Sequence, residues 1–229
     1  MEIWLVILKR WQNINMRATN ILLKRVFDIF FGILGLLIFA PLFILIGVLI
    51  KIDSRGPVFF KQERIGIHKR IYSIYKFRSM VVNAENIGAG IFNMKNDSRV
   101  TRVGNFLRNT SLDETPQFIN IIMGDMSFVG PRPPVSYELG DLSQLTQEFN
   151  NRFRMRPGVT GLAQVNGRNE LSWNEKVVYD NRYIELFEKY GILIDIKLLF
   201  LTVIKIIKNE GSHEMSENVE RDRKRINRG

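Results

Sequence analysis

Two adjacent carboxylates, Asp113 and Glu114, open the stretch SLDETPQFINIIMGDMSFVGPRPP at residues 111–134. An ionised carboxylate can act as a nucleophile, or it can ligate Mg²⁺, which prefers oxygen donors and substrate phosphates. The stretch continues as a short apolar run, residues 118–123, and closes on Gly130-Pro131-Arg132-Pro133-Pro134. That ending is too rich in proline for a helix or a central strand, so it predicts a rigid turn carrying a lone arginine. Carboxylates at a helix entrance and an arginine on a rigid turn suit chemistry on an anion. The same residues permit a plainer reading. Ser111-x-x-Glu114 fits a capping box, in which both acids only favour a helix N-terminus. Pro116 favours a helix that starts near Asp113, where proline falls in the first turn and is tolerated.

Further cations flank this stretch. Lys76 and Arg78 lie two apart in a segment of apolar–polar alternation from residue 57, which predicts a β-hairpin or a pair of strands. They would share one strand face, either a phosphate-binding surface or a solvated basic edge. DSRVTRVGNFLR, residues 97–108, brings three arginines, the last of them Arg108, close to the carboxylates. Arginine suits bidentate phosphate binding. Gln164, Asn166 and Arg168 alternate after Gly158 and Gly161. On an extended segment they would face one way, to read sugar hydroxyls or a nucleotide, or simply to form a wet strand face. Gly88-Ala89-Gly90 lacks the third glycine of a dinucleotide fingerprint. With no cysteine and two distant histidines, His68 and His213, the chain offers neither a thiolate metal site nor the makings of a Ser-His-Asp triad.

The elements that must carry these groups begin with an apolar landmark. Residues 29–50 hold no charge and no side-chain hydrogen-bonding group. As a helix, such a run is long enough to cross the hydrocarbon core; a buried core helix is the alternative. The net charge of +10 brackets this run, with five basic groups and one acid in residues 1–25, and eight basic groups and two acids in residues 51–80. Basic flanks prefer the cytoplasmic side, and Pro41 interrupts the middle. A helix that breaks at Ala40-Pro41 and returns to its starting face satisfies both facts, and a proline-kinked span is the other solution. Residues 1–20 read as an extension, disordered or lying on the surface. Residues 136–152 predict a polar surface helix and residues 175–190 a helix of mixed charge. ILIDIKLLFLTVIKIIK, residues 192–208, predicts an amphipathic helix, either in the membrane interface with its lysines snorkelling or in the core. Residues 209–229 read as a disordered tail.

Four ordered blocks carry a resemblance: KRVFDIFFGILGLLIFAPLFILIGVLIKIDSRGPVFFKQERIG, YKFRSM, SLDETPQFINIIMGDMSFVGPRP and RPGVTGLAQVNGRN. Over residues 21–208 the chain resembles the bacterial sugar transferases, the small monotopic phosphoglycosyl transferases. The resemblance implies a mixed α/β, mainly helical fold. It would have a re-entrant membrane helix over 21–52 broken at Pro41, and a small cytosolic catalytic domain over 53–208, with a short β-hairpin or sheet and interfacial amphipathic helices. It implies transfer of a sugar-1-phosphate from a UDP-sugar to polyprenyl (undecaprenyl) phosphate at the cytoplasmic face of the bacterial inner membrane. Asp113 would be the nucleophile of a ping-pong reaction and Glu114 its assistant, both near Mg²⁺. Lys76, Arg78, Arg108, Arg132 and Pro133 would hold phosphate; Gln164, Asn166, Gly167 and Arg168, with Asp180 and Tyr183 of YDNRYI, would serve the nucleotide-sugar end. GLAQVNGRN with LSW looks like members handling N-acetylated amino sugars. Anionic lipids would hold the basic flanks, and no nucleic acid is implied. With no multi-spanning N-terminal region, the chain looks like the small, core-only members. Where those members commonly have Ser-Pro at the helix break, this chain has Ala40-Pro41, which removes a hydroxyl that could satisfy freed backbone groups. Two other functions fit the same residues: a non-catalytic, basic, membrane-tethered binding protein, and a transferase that moves the sugar alone and releases UDP.

Overall fold

A computed structural model describes residues 2–87, 97–167 and 170–208, with the side chains of the first helix given from Met16 and those of the last to Ile206. Elements run in the order α1 (Glu2–Asp53), β1 (Phe59–Ile65), β2 (Ile71–Phe77), α2 (Arg102–Asn109), α3 (Gln117–Met123), β3 (Ser127–Val129), α4 (Gln147–Asn151), β4 (Gly158–Thr160), α5 (Leu162–Val165), α6 (Trp173–Tyr190) and α7 (Ile192–Lys208). The fold is mainly helical, with an antiparallel β1–β2 hairpin and a parallel β3–β4 pair. The expected tail, Arg168 and the Gly88-Ala89-Gly90 segment lie outside the described residues.

The first helix is 52 residues, roughly 78 Å at 1.5 Å per residue. It includes the expected N-terminal extension, and it stays helical through Pro41, so the break expected at Ala40-Pro41 is not seen. One stripe of α1 faces the rest of the protein at helical spacing. Asp28 is buried and accepts from Ser127 Oγ at 2.9 Å and Phe128 N at 3.0 Å. Gly35 runs so close to Phe118 that an added Cβ would stand 2.8 Å from its ring. Phe39 and Phe43 meet Phe118 and Phe77, while Ile46 and Ile50 pack with Phe77 and Leu107. Asp53 Oδ2 then accepts from Val103 N at 3.0 Å, at the start of α2. The opposite stripe is apolar and bare: Leu37 is 69% exposed, Ile44 72% and Ile52 78%. By length and composition α1 could cross a membrane.

Behind α1 lies a core of Val129, Val165, Tyr183, Ile184, Phe187, Ile194 and Leu198. Helix α6 begins with a complete capping box, Ser172 and Glu175. Helix α7 serves the core with Ile194, Asp195 and Leu198 and leaves Leu193, Ile196, Phe200 and Val203 exposed. Lys24 of α1 locks the two ends of the chain together, donating to Asp195 Oδ2 at 2.6 Å and Val129 O at 2.8 Å in a buried pair. The polar helix expected over 136–152 shrinks to α4. Before it, Asp141 closes a turn by accepting from Ser143 N at 2.8 Å, a local bond that competes with helix.

Candidate active site

The carboxylates sit in a single 3-10 turn, Leu112–Glu114, that joins α2 to α3. Ser111, just before it, adopts φ 56, a left-handed conformation that a non-glycine residue seldom takes, and its side chain makes no capping bond. The capping box is therefore not formed; Pro116 is the N-cap of α3. Asn120 fixes that helix against the hairpin: its Oδ1 accepts from Tyr75 N at 3.0 Å and its Nδ2 donates to Ser73 O at 2.8 Å. At the C-terminal end of α3, Arg25 donates to the carbonyls of Ile121 and Ile122, and Arg156 to that of Gly124.

This stitching sets Lys76 of β2 over the turn, where Nζ donates to Glu114 Oε1 at 2.8 Å in a largely buried pair. Asp113 is partly buried, close enough to Arg108 for its charge to act on the guanidinium. Burial draws the Arg108 guanidinium below its ordinary pKa, and the Asp113 charge, the strongest of its opposing partners, offsets this. A shallow depression opens beside the turn, lined by Arg64, Lys76, Glu114, Gln117, Arg132 and Pro133 among others. The two carboxylates are hard oxygen donors. Among the described residues no cluster of three acidic, histidine or cysteine ligands exists. Such a set fits Mg²⁺, which takes one or two carboxylates and completes its shell with water and substrate phosphate, and Asp113 and Glu114 would hold it.

Arg132 stands on the proline turn, and that turn is tied down almost atom by atom. Pro131 O accepts from Gly158 N at 2.9 Å, Pro133 O from Arg64 Nη1 at 2.9 Å, and Pro134 O from Ile65 N at 3.0 Å. Val135 N donates to Glu138 Oε2 at 2.8 Å, and Arg132 O accepts from Arg152 Nη2. The turn passes β4 so closely that a Cβ on Gly158 would lie 2.1 Å from Gly130 N.

The structure thus brings Asp113, Glu114, Lys76, Arg108, Arg132 and Pro133 together and places the other expected residues elsewhere. Strand β2 ends at Phe77, so Arg78 does not share a strand face with Lys76. It is buried and donates to Arg55 O at 2.5 Å and to Ser54 O at 2.7 Å, beyond the C-terminal end of α1. Asp180 lies behind the proline turn, in a fully buried pair with Arg152 at 2.8 Å. Burial pushes its carboxyl up to about 6 against the pull of Arg152 and Lys176. Tyr183 is a core residue whose hydroxyl donates to Asp195 Oδ1 at 2.7 Å. Residues 162–165 form a helical turn, so the strand face expected of Gln164 and Asn166 does not exist. Neither they nor Gly167 line the depression. Both amide atoms of Gln164 are buried without a hydrogen-bond partner among the described residues, while Asn166 is exposed and donates to Leu162 O at 2.7 Å.

Sequence reasoning missed Arg64, Gln117 and Arg152. Arg64 was within reach. The hairpin register pairs Phe60 with Lys76, Gln62 with Ile74 and Arg64 with Tyr72, so alternation along β1 puts Arg64 on the Lys76 face. Nothing local to residue 152 points to Arg132, twenty positions away.

Comparison with known proteins converges on one group. The family model described as bacterial sugar transferase matches residues 19–209. The UDP-glucose:undecaprenyl-phosphate glucose-1-phosphate transferase of Escherichia coli (strain K12) is 43% identical over 201 residues, 86% of this chain and 42% of that protein. The undecaprenyl-phosphate galactose phosphotransferase of Salmonella typhimurium is 36% identical over 222 residues, 91% of this chain and 45% of that protein. An exopolysaccharide production protein of Rhizobium leguminosarum bv. phaseoli is 38% identical over 193 residues, 81% of this chain and 95% of that protein. The chain thus spans less than half the length of the first two relatives and nearly all of the third.

Proposed function

The chain belongs to the bacterial sugar transferase family, and from that premise we propose that it is a phosphoglycosyl transferase. It moves a sugar-1-phosphate from a UDP-sugar to undecaprenyl phosphate and releases UMP, in the service of bacterial polysaccharide synthesis. The observation that carries this reading is the Lys76–Glu114 pair beside Asp113, facing Arg132 on its fastened turn. Glu114 is held by Lys76, and Asp113, beside it in the same turn, is the attacking carboxylate. An Asp113 oxygen attacks the sugar-linked phosphorus, the bond from that phosphorus to the bridging oxygen breaks, and UMP leaves with the electron pair. The phosphosugar is now an acyl phosphate on Asp113. An oxygen of undecaprenyl phosphate attacks the same phosphorus, and the Asp113 carboxylate is regenerated. Arg132, Arg108 and Lys76 lower the cost of gathering these anions. When bound at Asp113 and Glu114, Mg²⁺ supplies charge neutralisation on the diphosphate and the departing UMP.

Two of the named relatives, from Escherichia coli and Salmonella typhimurium, act on glucose and galactose, and they lend no support to the expected N-acetylated amino sugar. UDP-glucose and UDP-galactose are therefore the first donors to try. On the membrane, the stripe of α1 that meets the domain runs from Lys24 to Asp53, on both sides of Pro41. That is about 44 Å of helix, longer than the roughly 30 Å hydrocarbon core. A perpendicular crossing would drag the polar domain through lipid. The geometry favours a helix inclined within one leaflet, its bare stripe toward the acyl chains and its basic flanks on anionic headgroups at the cytoplasmic face.

The test is UMP release in lipid nanodiscs with Mg²⁺, from a panel of UDP-sugars, with and without undecaprenyl phosphate. Wild type releases UMP, and the Asp113 peptide gains the mass of a phosphosugar when the lipid acceptor is withheld. Asp113→Asn keeps the shape but lacks the nucleophile, and releases none. UDP as the product would mean transfer of the sugar alone. UMP release retained by Asp113→Asn would overturn the mechanism, and no nucleotide product from any donor would favour a tethered binding protein.

A further inference from the structure

We propose that Arg152 and Asp180 are positioning residues: together they fix the Arg132 peptide, and through it hold the Arg132 guanidinium over the carboxylate turn. This rests on the functional reading above, in which Arg132 meets substrate phosphate. The geometry is a relay. Nη2 of Arg152 donates to Arg132 O and stands 2.8 Å from Asp180 Oδ2, a buried ion pair that falls short of hydrogen-bond geometry. Asp180, from α6, holds the guanidinium, and the guanidinium holds the turn. Trp173 lies across the guanidinium, its ring centroid 4.7 Å away, and excludes water from that face.

Stability alone does not account for this pair. Both side chains are 1% exposed, yet Nε and Nη1 of Arg152 have no hydrogen-bond partner among the described residues. A buried ion pair left half-satisfied commonly adds nothing over well-packed apolar residues of similar size. What an apolar pair could not supply is a donor for the Arg132 carbonyl. The turn has particular need of one, because three of its residues are prolines and offer no N–H to fasten.

The decisive variant is the double replacement Arg152→Met with Asp180→Leu, in the full chain in nanodiscs. Three quantities are read: the unfolding temperature, hydrogen exchange at the Arg132 amide, and kcat/KM for the preferred UDP-sugar. Arg132 carries the only amide between Pro131 and Pro134, so its exchange reports directly on the turn. The expected result is an unfolding temperature within a few degrees of wild type, Arg132 exchange about tenfold faster, and kcat/KM about tenfold lower. Unchanged exchange would overturn the proposal, as would faster exchange with kcat/KM within about twofold of wild type. If the double variant does not fold, Asp180→Asn decides the matter in combination with Arg132→Ala. An effect exerted through Arg132 disappears once Arg132 is gone, whereas full additivity of the two losses overturns the proposal. If the wild type turns over no UDP-sugar, the functional reading falls, and exchange at Arg132 still decides whether the pair holds the turn.

Discussion

Asp97 and Arg99 show how firmly a single cation can be committed. Arg99 Nε donates to Asp97 Oδ1 at 2.9 Å and Nη2 to Oδ2 at 2.6 Å, while Nη1 reaches the carbonyls of Ala84 and Ile87. These bonds, first of all the side-chain bonds from Arg99, hold the Asp97 carboxyl below its usual range. A carboxyl lowered on folding contributes stability that is fully present above its unfolded pKa, near 3.9, and is lost as pH falls through the folded value. Asp97→Asn should therefore melt below wild type at pH 7, with the gap closing as the pH drops under about 4. A gap that persists unchanged in acid would show that the ion pair is not its cause. At this scale the legible residues were those whose neighbours in sequence are also their neighbours in space. Asp113 and Glu114 adjoin, and Arg132 sits between its prolines. Arg99 looked like a phosphate ligand because the carbonyls that occupy it lie twelve and fifteen positions away. Arg152 and Asp180 take their meaning from each other and from a turn twenty residues off, a relation no local pattern carries.

Among elements, the ends were harder to read than the bodies. The hairpin, α6 and α7 follow their hydrophobic periodicity, though α6 starts at Trp173, two residues before the expected 175, behind its Ser172–Glu175 box. The expected pairing of Lys76 with Arg78 failed by one residue. β2 stops at Phe77, and Arg78 turns to collect the carbonyls that follow α1. Its role is therefore to end a helix. Arg78→Met should cost about 2–3 kcal/mol, the usual worth of hydrogen bonds from a charged donor, visible as a lower melting temperature. KM for the UDP-sugar should stay within about twofold of wild type in well-folded protein. A large rise in KM at unchanged stability would return Arg78 to the phosphate site. The segment around Gln164 failed differently. The alternation of Gln164, Asn166 and Arg168 suggested an extended run, but Gly158 and Gly161 mark where two backbones nearly touch, and the chain coils into α5 immediately after.

For the molecule as a whole, the run of apolar residues 29–50 and the charge around it marked out, without any structure, a helix able to cross a membrane. They gave no hint that the same helix is also a wall of the domain. Patterning reads both stripes of α1 as apolar and cannot say that one is left bare and the other packs on Phe118, Phe77 and Leu107. Removing residues 1–53 would strip away Lys24, the partner of buried Asp195, and Asp28, the acceptor for Ser127 and Phe128. It would also lay Phe118, Phe77 and Leu107 open to water, and at about 1.5–3 kcal/mol for each large apolar side chain the loss is comparable to a domain's whole stability. The truncated chain should show no cooperative unfolding transition and should be digested rapidly by protease; a sharp transition in it would mean that the helix is only a tether. The shared wall also bears on how a cell could dispose of the activity. If the proposed function holds, a protease that severed α1 would destroy the transferase in the same stroke and not release it in working form, so transfer of the sugar phosphate would stay with the helix that carries it.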